Sequence, residues 1–175
     1  MRNDGLMSEE TFPDGRWGSG SGPLRGVIDA FAATQLGSRC IRALVPLDRR
    51  LLSRTGGRYT ALGPFGLQML LLTTIGRKSG QRRQSPLIYT RDGNRLFLFA
   101  SNFGQSAHPA WSSNLMANPE AWVTMAGQEI PVLATQLSGA DYDHAVAMFM
   151  DYLKAYPAYL NRTDRDIRVF ALTRR

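Results

Sequence analysis

The sequence contains one cysteine, Cys40, and two histidines, His108 and His144. A lone thiol can form neither an intramolecular disulfide nor a cysteine-based zinc site, so Cys40 reads as a packed thiol in a reducing compartment. The two histidines supply no metal-ligand spacing, and no metal is expected. No apolar run approaches the ~20 residues needed to cross a bilayer, and residues 1–10 carry Asp and Glu where a signal peptide needs an apolar segment. The chain therefore reads as cytoplasmic. Neither G-x-S-x-G nor GxxxxGK[ST] occurs, which argues against an α/β-hydrolase nucleophile and against a P-loop. There is no internal repeat. Acid is the scarcer charge: 14 Asp+Glu against 21 Lys+Arg leave a formal net charge of +7. That excess points to a polyanionic partner, whether nucleic acid, anionic lipid or a phosphorylated cofactor.

What is present suits one domain, since 175 residues at 43% hydrophobic content can bury a core. Residues 1–22 mix charge, Gly and Ser without apolar period and read as a disordered arm. Residues 23–175 read as the domain. Within it, residues 23–54 form a basic amphipathic helical segment: Leu24, Val27, Ile28 and Phe31 follow Pro23 at helical spacing, and a second apolar set follows Gly37. Its arginines fit either a solvated face over the body or a surface lying on an anionic membrane.

Beyond Gly56-Gly57 and Gly63-Pro64, the run 67–74 reads as a buried strand. Residues 85–90 and 95–101 pair across Asp92-Gly93, a strong hairpin signal. Residues 109–117 suit a short helix, and 121–125 with 129–135 make a second hairpin. Residues 141–156 carry apolar side chains at helical spacing behind a Ser138 or Asp141 cap, and 167–173 close with a strand. The order lacks βαβ alternation. It fits α+β architecture, mainly antiparallel, as a sheet or barrel with flanking helices.

Two loops stand out for chemistry. Gly76-Arg77-Lys78-Ser79-Gly80, with Arg82 and Arg83 next, is either a plain basic hairpin turn or a cradle of N–H, hydroxyl and guanidinium donors for an anion. Ala100-Ser101-Asn102-Phe103-Gly104 is small and polar, at a strand end before the short helix. Tyr152, Tyr156 and Tyr159 crowd the end of the C-terminal helix, either as core packing or as phenols facing a planar ring. Trp111 and Trp122 read as buried anchors. Basic residues are not interleaved with spaced aromatics, so no nucleic-acid interface is expected.

The run TTIGRKSGQRRQSPLIYTRDGNRLFLFASNFG, then HPAWSSNLMANPE, then AYPAYLNRTDR, resembles the deazaflavin-dependent nitroreductase and quinone reductase family from about Leu67 onward. The resemblance implies a split β-barrel of the flavin-mononucleotide-binding type and coenzyme F420, a deazaflavin with a phosphodiester-linked oligoglutamate tail. Flavin mononucleotide is the alternative cofactor. It places Arg77, Lys78, Ser79 and Arg83 on the tail, and Ser101, Asn102 and Gly104 beside phosphate and ring. Pro86, Ala100, Trp111 and Asn114 complete the cofactor set. Tyr159, Ser101 and Tyr156 would serve catalysis, as hydride passes to a small-molecule acceptor: a quinone, nitroaromatic or activated alkene. Where relatives carry Ala-Ser-Lys-Gly-Gly, this chain has Asn102-Phe103, and Arg162 stands where a relative has a further tyrosine. A monomer or homodimer, with possible peripheral membrane contact through the basic helix, completes the expectation, beside a non-catalytic cofactor-binding protein.

Overall fold

The computed structural model describes residues 11–14, 23–62 and 67–175. The Gly63-Pro64 turn, most of the N-terminal arm and the side chains of Leu24, Val27 and Ile28 lie outside the described residues. Helices α1 (Pro23–Ala33) and α2 (Gln35–Thr55) lead into strand β1 (Met69–Ile75). Next come β2 (Arg82–Asp92), β3 (Arg95–Phe99), α3 (Ala110–Ala117), β4 (Glu120–Met125) and β5 (Gln128–Gln136). Helices α4 (Gly139–Tyr152) and α5 (Tyr156–Leu160) precede β6 (Val169–Arg174). The strands close an antiparallel barrel in the order β1-β2-β3-β6-β5-β4.

Strand period two divides the apolar residues between two cores. Leu70, Leu72, Leu96, Leu98, Phe170 and Leu172 point inside the barrel with Val123, Met125 and Val132. Their neighbours Met69, Phe97, Phe99, Val169 and Ala171 point outward against Ala145, Phe149 and Leu153 of the helical layer. Strands buried on both faces therefore read as unbroken apolar runs, whereas β4 alternates with one face outward.

The turns follow from local chemistry. Asp92 pairs with Arg95 across Gly93-Asn94, and Met125 pairs with Gln128 across Ala126-Gly127. Ala126 and Gly127 both take positive φ, 49° and 86°, which matches the twist of a two-residue hairpin. Helix α2 is capped by Thr34, whose side chain accepts from Gly37 N, and runs unbroken through Gly37 and Pro46. Its C-terminal Gly57 abuts β4: a Cβ there would lie 2.6 Å from Thr124 O, so only glycine permits the approach.

Three expectations need correction. The helix expected over 141–156 ends at Tyr152, because Pro157 removes an N–H and its ring conflicts with the carbonyl four residues back, and Leu153 turns into the core instead. Ser138 stands at the N-cap position without a side-chain cap bond. Cys40 is exposed rather than packed, since it faces away from the layer that α2 covers. Within the N-terminal arm, Phe12 is 2% exposed in the barrel core. Arg91 Nη1 donates to Phe12 O at 2.8 Å and Arg174 Nη1 to Thr11 O at 3.0 Å, so residues 11–14 strap the barrel.

Candidate functional site

An apolar cavity of about 300 Å³ lies between the barrel wall and the helices. Pro86, Leu87 and Ile88 of β2 form its floor, and Phe99, Ser101, Asn102 and Phe103 line it at the end of β3. Pro109 and Trp111 enter from the start of α3, Ile41, Val45 and Asp48 from α2, and Tyr159 from α5. Trp111 is buried and meets Phe170 edge-on at 5.8 Å, so one ring both anchors the core and walls the cavity.

Tyr159 Oη donates to Ala32 O at 3.2 Å, while the ring meets Phe103 edge-on and carries the Arg162 guanidinium at 5.6 Å. Burial raises this phenol above its ordinary value; a hydrogen bond with Ser38 and the charge of Arg162 act in the opposite sense. It therefore stays protonated across neutral pH.

Tyr156 is a different matter. It is fully buried in a cluster with Phe99 and Phe149, centroids 5.7 and 4.7 Å away, and does not line the cavity. Its hydroxyl has no hydrogen-bond partner among the described residues, and burial drives the phenol strongly upward. Tyr156, expected beside Tyr159 in catalysis, packs in the core cluster on the same short helix and lies outside the cavity lining.

The basic turn closes through Gly76 N to Gln81 O at 2.8 Å. Asn114, buried on α3, holds it in place: its Oδ1 accepts from Arg77 N at 3.1 Å and its Nδ2 donates to Thr74 Oγ1 at 3.0 Å. Arg77, Lys78, Ser79 and Arg83 are exposed, outside the cavity lining, with Arg83 Nη2 donating to Ser79 Oγ at 3.5 Å. Among the described residues no carboxylate pairs with Arg77, Lys78 or Arg83. Arg82, on the alternate face of β2, pairs with Glu129 at 2.7 Å and stacks on Trp122 at 4.5 Å.

The second loop is held by Arg165. Its guanidinium donates to Ala100 O and Ser101 O, both at 2.7 Å, and to Gln105 O at 2.9 Å, and meets His108 Nδ1 at 3.1 Å. Asn102 Nδ2 bonds inward, to Ala107 O at 2.9 Å. Asn102, Phe103 and Gly104 take φ of 50°, 56° and 76°, and a Cβ on Gly104 would sit 2.7 Å from Arg162 Cβ. Glycine is obligatory there, whereas Phe103 is a bulky residue in the left-handed region. Ala100 is fully buried and reaches the site only through its carbonyl. Among the described residues no group of three His, Cys, Asp or Glu is placed to hold a metal.

The roles of two residues escaped the sequence reading. Asp48 is 2% exposed, and its Oδ1 accepts from Thr60 Oγ1 at 2.8 Å and from Ala61 N at 2.6 Å. Its spacing from Val45 and Leu52 placed it on the inward stripe of α2, a signal that the surrounding arginines obscured. Arg165 bridges partners up to 65 positions away, which no local pattern announces.

Comparison with known proteins bears on this geometry. The model of a family described as F420H(2)-dependent quinone reductase matches residues 41–174. An F420H(2)-dependent quinone reductase of Mycobacterium tuberculosis (strain ATCC 25618 / H37Rv) is 33% identical over 135 residues, 75% of this chain and 91% of the relative. A solved F420-H2 dependent reductase shares 32% identity with TM-score 0.55, covering 59% of this chain and 92% of its own. A structure described as a domain-swapped dimer shares 29% identity with TM-score 0.58, covering 77% of this chain and 98% of its own.

Proposed function

Because this chain belongs to the F420H(2)-dependent quinone reductase family and is thereby an F420-dependent oxidoreductase, we propose that its apolar cavity holds a quinone for hydride transfer. The observation that carries the reading is an apolar cavity, walled by Pro86, Trp111 and Tyr159, close to a turn whose cations have no acidic partners among the described residues. The residues fit the cofactor. Arg77, Lys78, Arg83 and the Ser79 hydroxyl are the donor set that a tail of carboxylates and a phosphate requires. Pro86, Trp111, Ser101 and Asn102, which line the cavity, would border the ring end, with Gly104 just beyond Phe103, Asn114 holding the turn and Ala100 tying the loop to Arg165. The flavin mononucleotide alternative is not needed.

When bound, the reduced deazaflavin supplies a hydride from C5. The protein contributes position and a proton. A quinone that accepts a hydride takes up one proton to become the hydroquinone, and Tyr159, which lines the cavity with Ser101, holds a proton at Oη that rests on Ala32 O until the acceptor takes it. Buried walls keep water from competing with the acceptor. Nitroaromatics and activated alkenes, being flat electrophiles, belong to the same proposal.

Purified protein should oxidise F420H2 with menadione, followed by recovery of cofactor absorbance. Tyr159→Phe should lower kcat about 10- to 100-fold with cofactor affinity unchanged, as loss of a positioned proton donor predicts. Unchanged kcat would remove Tyr159 from the mechanism.

A second reading concerns place. Leu36, Leu44 and Leu47 are 66%, 38% and 52% exposed along one side of α2, with Arg50 and Arg54 beside them. An apolar stripe bordered by cations is the form that rests on an anionic bilayer. No described helix is long and apolar enough to cross a membrane. We read the protein as a cytoplasmic domain over residues 23–175 that touches the inner membrane face, as monomer or homodimer. Co-sedimentation with phosphatidylglycerol vesicles should fall in Leu44→Gln/Leu47→Gln. Equal sedimentation, or dimer dissociation in its place, would overturn this reading.

A further inference from the structure

A second cleft, of about 750 Å³, lies beyond the first cavity and is lined by Arg39 and Arg42 of α2, Arg162 after α5, Ser38, and the loop from Phe103 to Ala107. Its character is opposite to its neighbour's. Three guanidinium groups face it, and no Asp or Glu is among its lining residues. Among the described residues Arg39 and Arg42 form no ion pair. Arg162 is fixed from behind: Nη1 donates to Ser38 Oγ at 2.8 Å and Nη2 to Ala33 O, and the group stacks on Tyr159. A guanidinium has five N–H donors, so these two bonds leave three for a ligand. Ser38 is itself buried and oriented by bonds to Ala32 O and Thr34 O, at 2.9 and 2.8 Å.

Phe103 is the wall common to both cavities, and Tyr159 touches both sides, lining the first and carrying the Arg162 group of the second. None of the residues 76–83 lines this cleft. We propose that the cleft binds an anionic substituent, a carboxylate or sulfonate, on an acceptor whose ring occupies the apolar cavity. The preferred acceptor is then an acidic quinone or nitroaromatic rather than a wholly apolar one. Planar guanidinium groups grip such anions in pairs of hydrogen bonds; Arg162 is half-buried and held in place, while Arg39 and Arg42 are exposed at the rim. This deepens the oxidoreductase reading and rests on it. The same anionic chemistry is available on the cofactor's tail, so the experiment separates the two sources.

Wild type and Arg39→Gln/Arg42→Gln are titrated calorimetrically with 2-naphthalenesulfonate and with 2-naphthol, which need no turnover. Wild type should bind the sulfonate at least about tenfold more tightly than the naphthol, and the double variant should lose that preference. In steady state with F420H2, KM for 1,4-naphthoquinone-2-sulfonate should rise at least about tenfold in the variant, while KM for menadione stays unchanged. Equal wild-type affinity for both naphthalenes, or a preference that survives the substitutions, would overturn the proposal. So would a weakened F420 Kd in the variant with sulfonate binding intact, which would give the cleft to the cofactor tail. Should the double variant lose its folded circular dichroism spectrum, the single variants Arg39→Gln and Arg42→Gln carry the same titration. If neither quinone is reduced by wild type, the oxidoreductase reading fails, whereas the titration still decides the cleft's ligand.

Discussion

The turn after β1 and the loop after β3 both combine arginine with glycine, and they use the arginine differently. At residues 76–83 the backbone closes on itself and on Asn114, and the cations project outward with no acidic partner among the described residues. At residues 100–108 the arginine comes from far along the chain, as Arg165, and four loop groups converge on it. The first loop has a shape that does not depend on its charges, so they remain available to an anion. The second depends on its charge for its shape. Charge at a loop is a binding signal only where the backbone is satisfied without it.

The largest effect should follow from removing Arg165. Arg165→Ala leaves carbonyls of Ala100, Ser101 and Gln105 without their donor, which should cost about 3 kcal/mol and lower Tm by roughly 6–12 °C in calorimetry. Turnover should fall with it, because Ser101 and Phe103 line the cavity. If Tm holds, the loop is self-supporting and the contrast collapses. Lys78→Ala with Arg83→Ala should do the reverse: F420 Kd weaker by about 10- to 100-fold in fluorescence titration, less at high salt, with Tm unchanged. Unaltered affinity would contradict the tail-binding role.

The smallest effect concerns acid. The His108 imidazole titrates below its ordinary value of 6.5, chiefly through burial and then through the charges of Arg168 and Arg165. Arg165 donates to Nδ1, so protonation there removes an acceptor and adds a like charge. The folded state thus takes up its proton at lower pH than the unfolded chain. Stability should be full above 6.5 and decline as pH falls from there through the lowered folded value. His108→Gln should flatten that decline in urea unfolding at a series of pH values, and an unchanged slope would place the acid sensitivity elsewhere.

Local pattern carried much of this architecture. Asp92-Gly93 and Ala126-Gly127 announced their hairpins, the run 67–74 with Leu70-Leu71-Leu72 at its centre announced a buried strand, and the GRKSG turn announced exposed cations. What escaped were matters of direction and distance. Nothing local says that Tyr156 packs into the core while Tyr159 lines the cavity, since α4 ends at Tyr152 and α5 begins anew at Tyr156. Phe12, in a polar segment without period, gave no sign of burial, because its partners come from β2 and β6. Cys40 misled for the opposite reason. Cysteine is usually buried, yet this one lies on the outer side of α2.

Strand β6 lies between β3 and β5 in the barrel, although it follows all the others in the chain. A ribosome therefore releases five strands that pair into one open sheet, β3-β2-β1-β4-β5, with free edges on β3 and β5, before the strand that fits both edges exists. Phe12 leaves the ribosome earlier still, and the Arg174 guanidinium that lies over its ring follows all five strands. Barrel closure must then wait for β6 and has high contact order, and the waiting edges are the chain's exposure to misassembly.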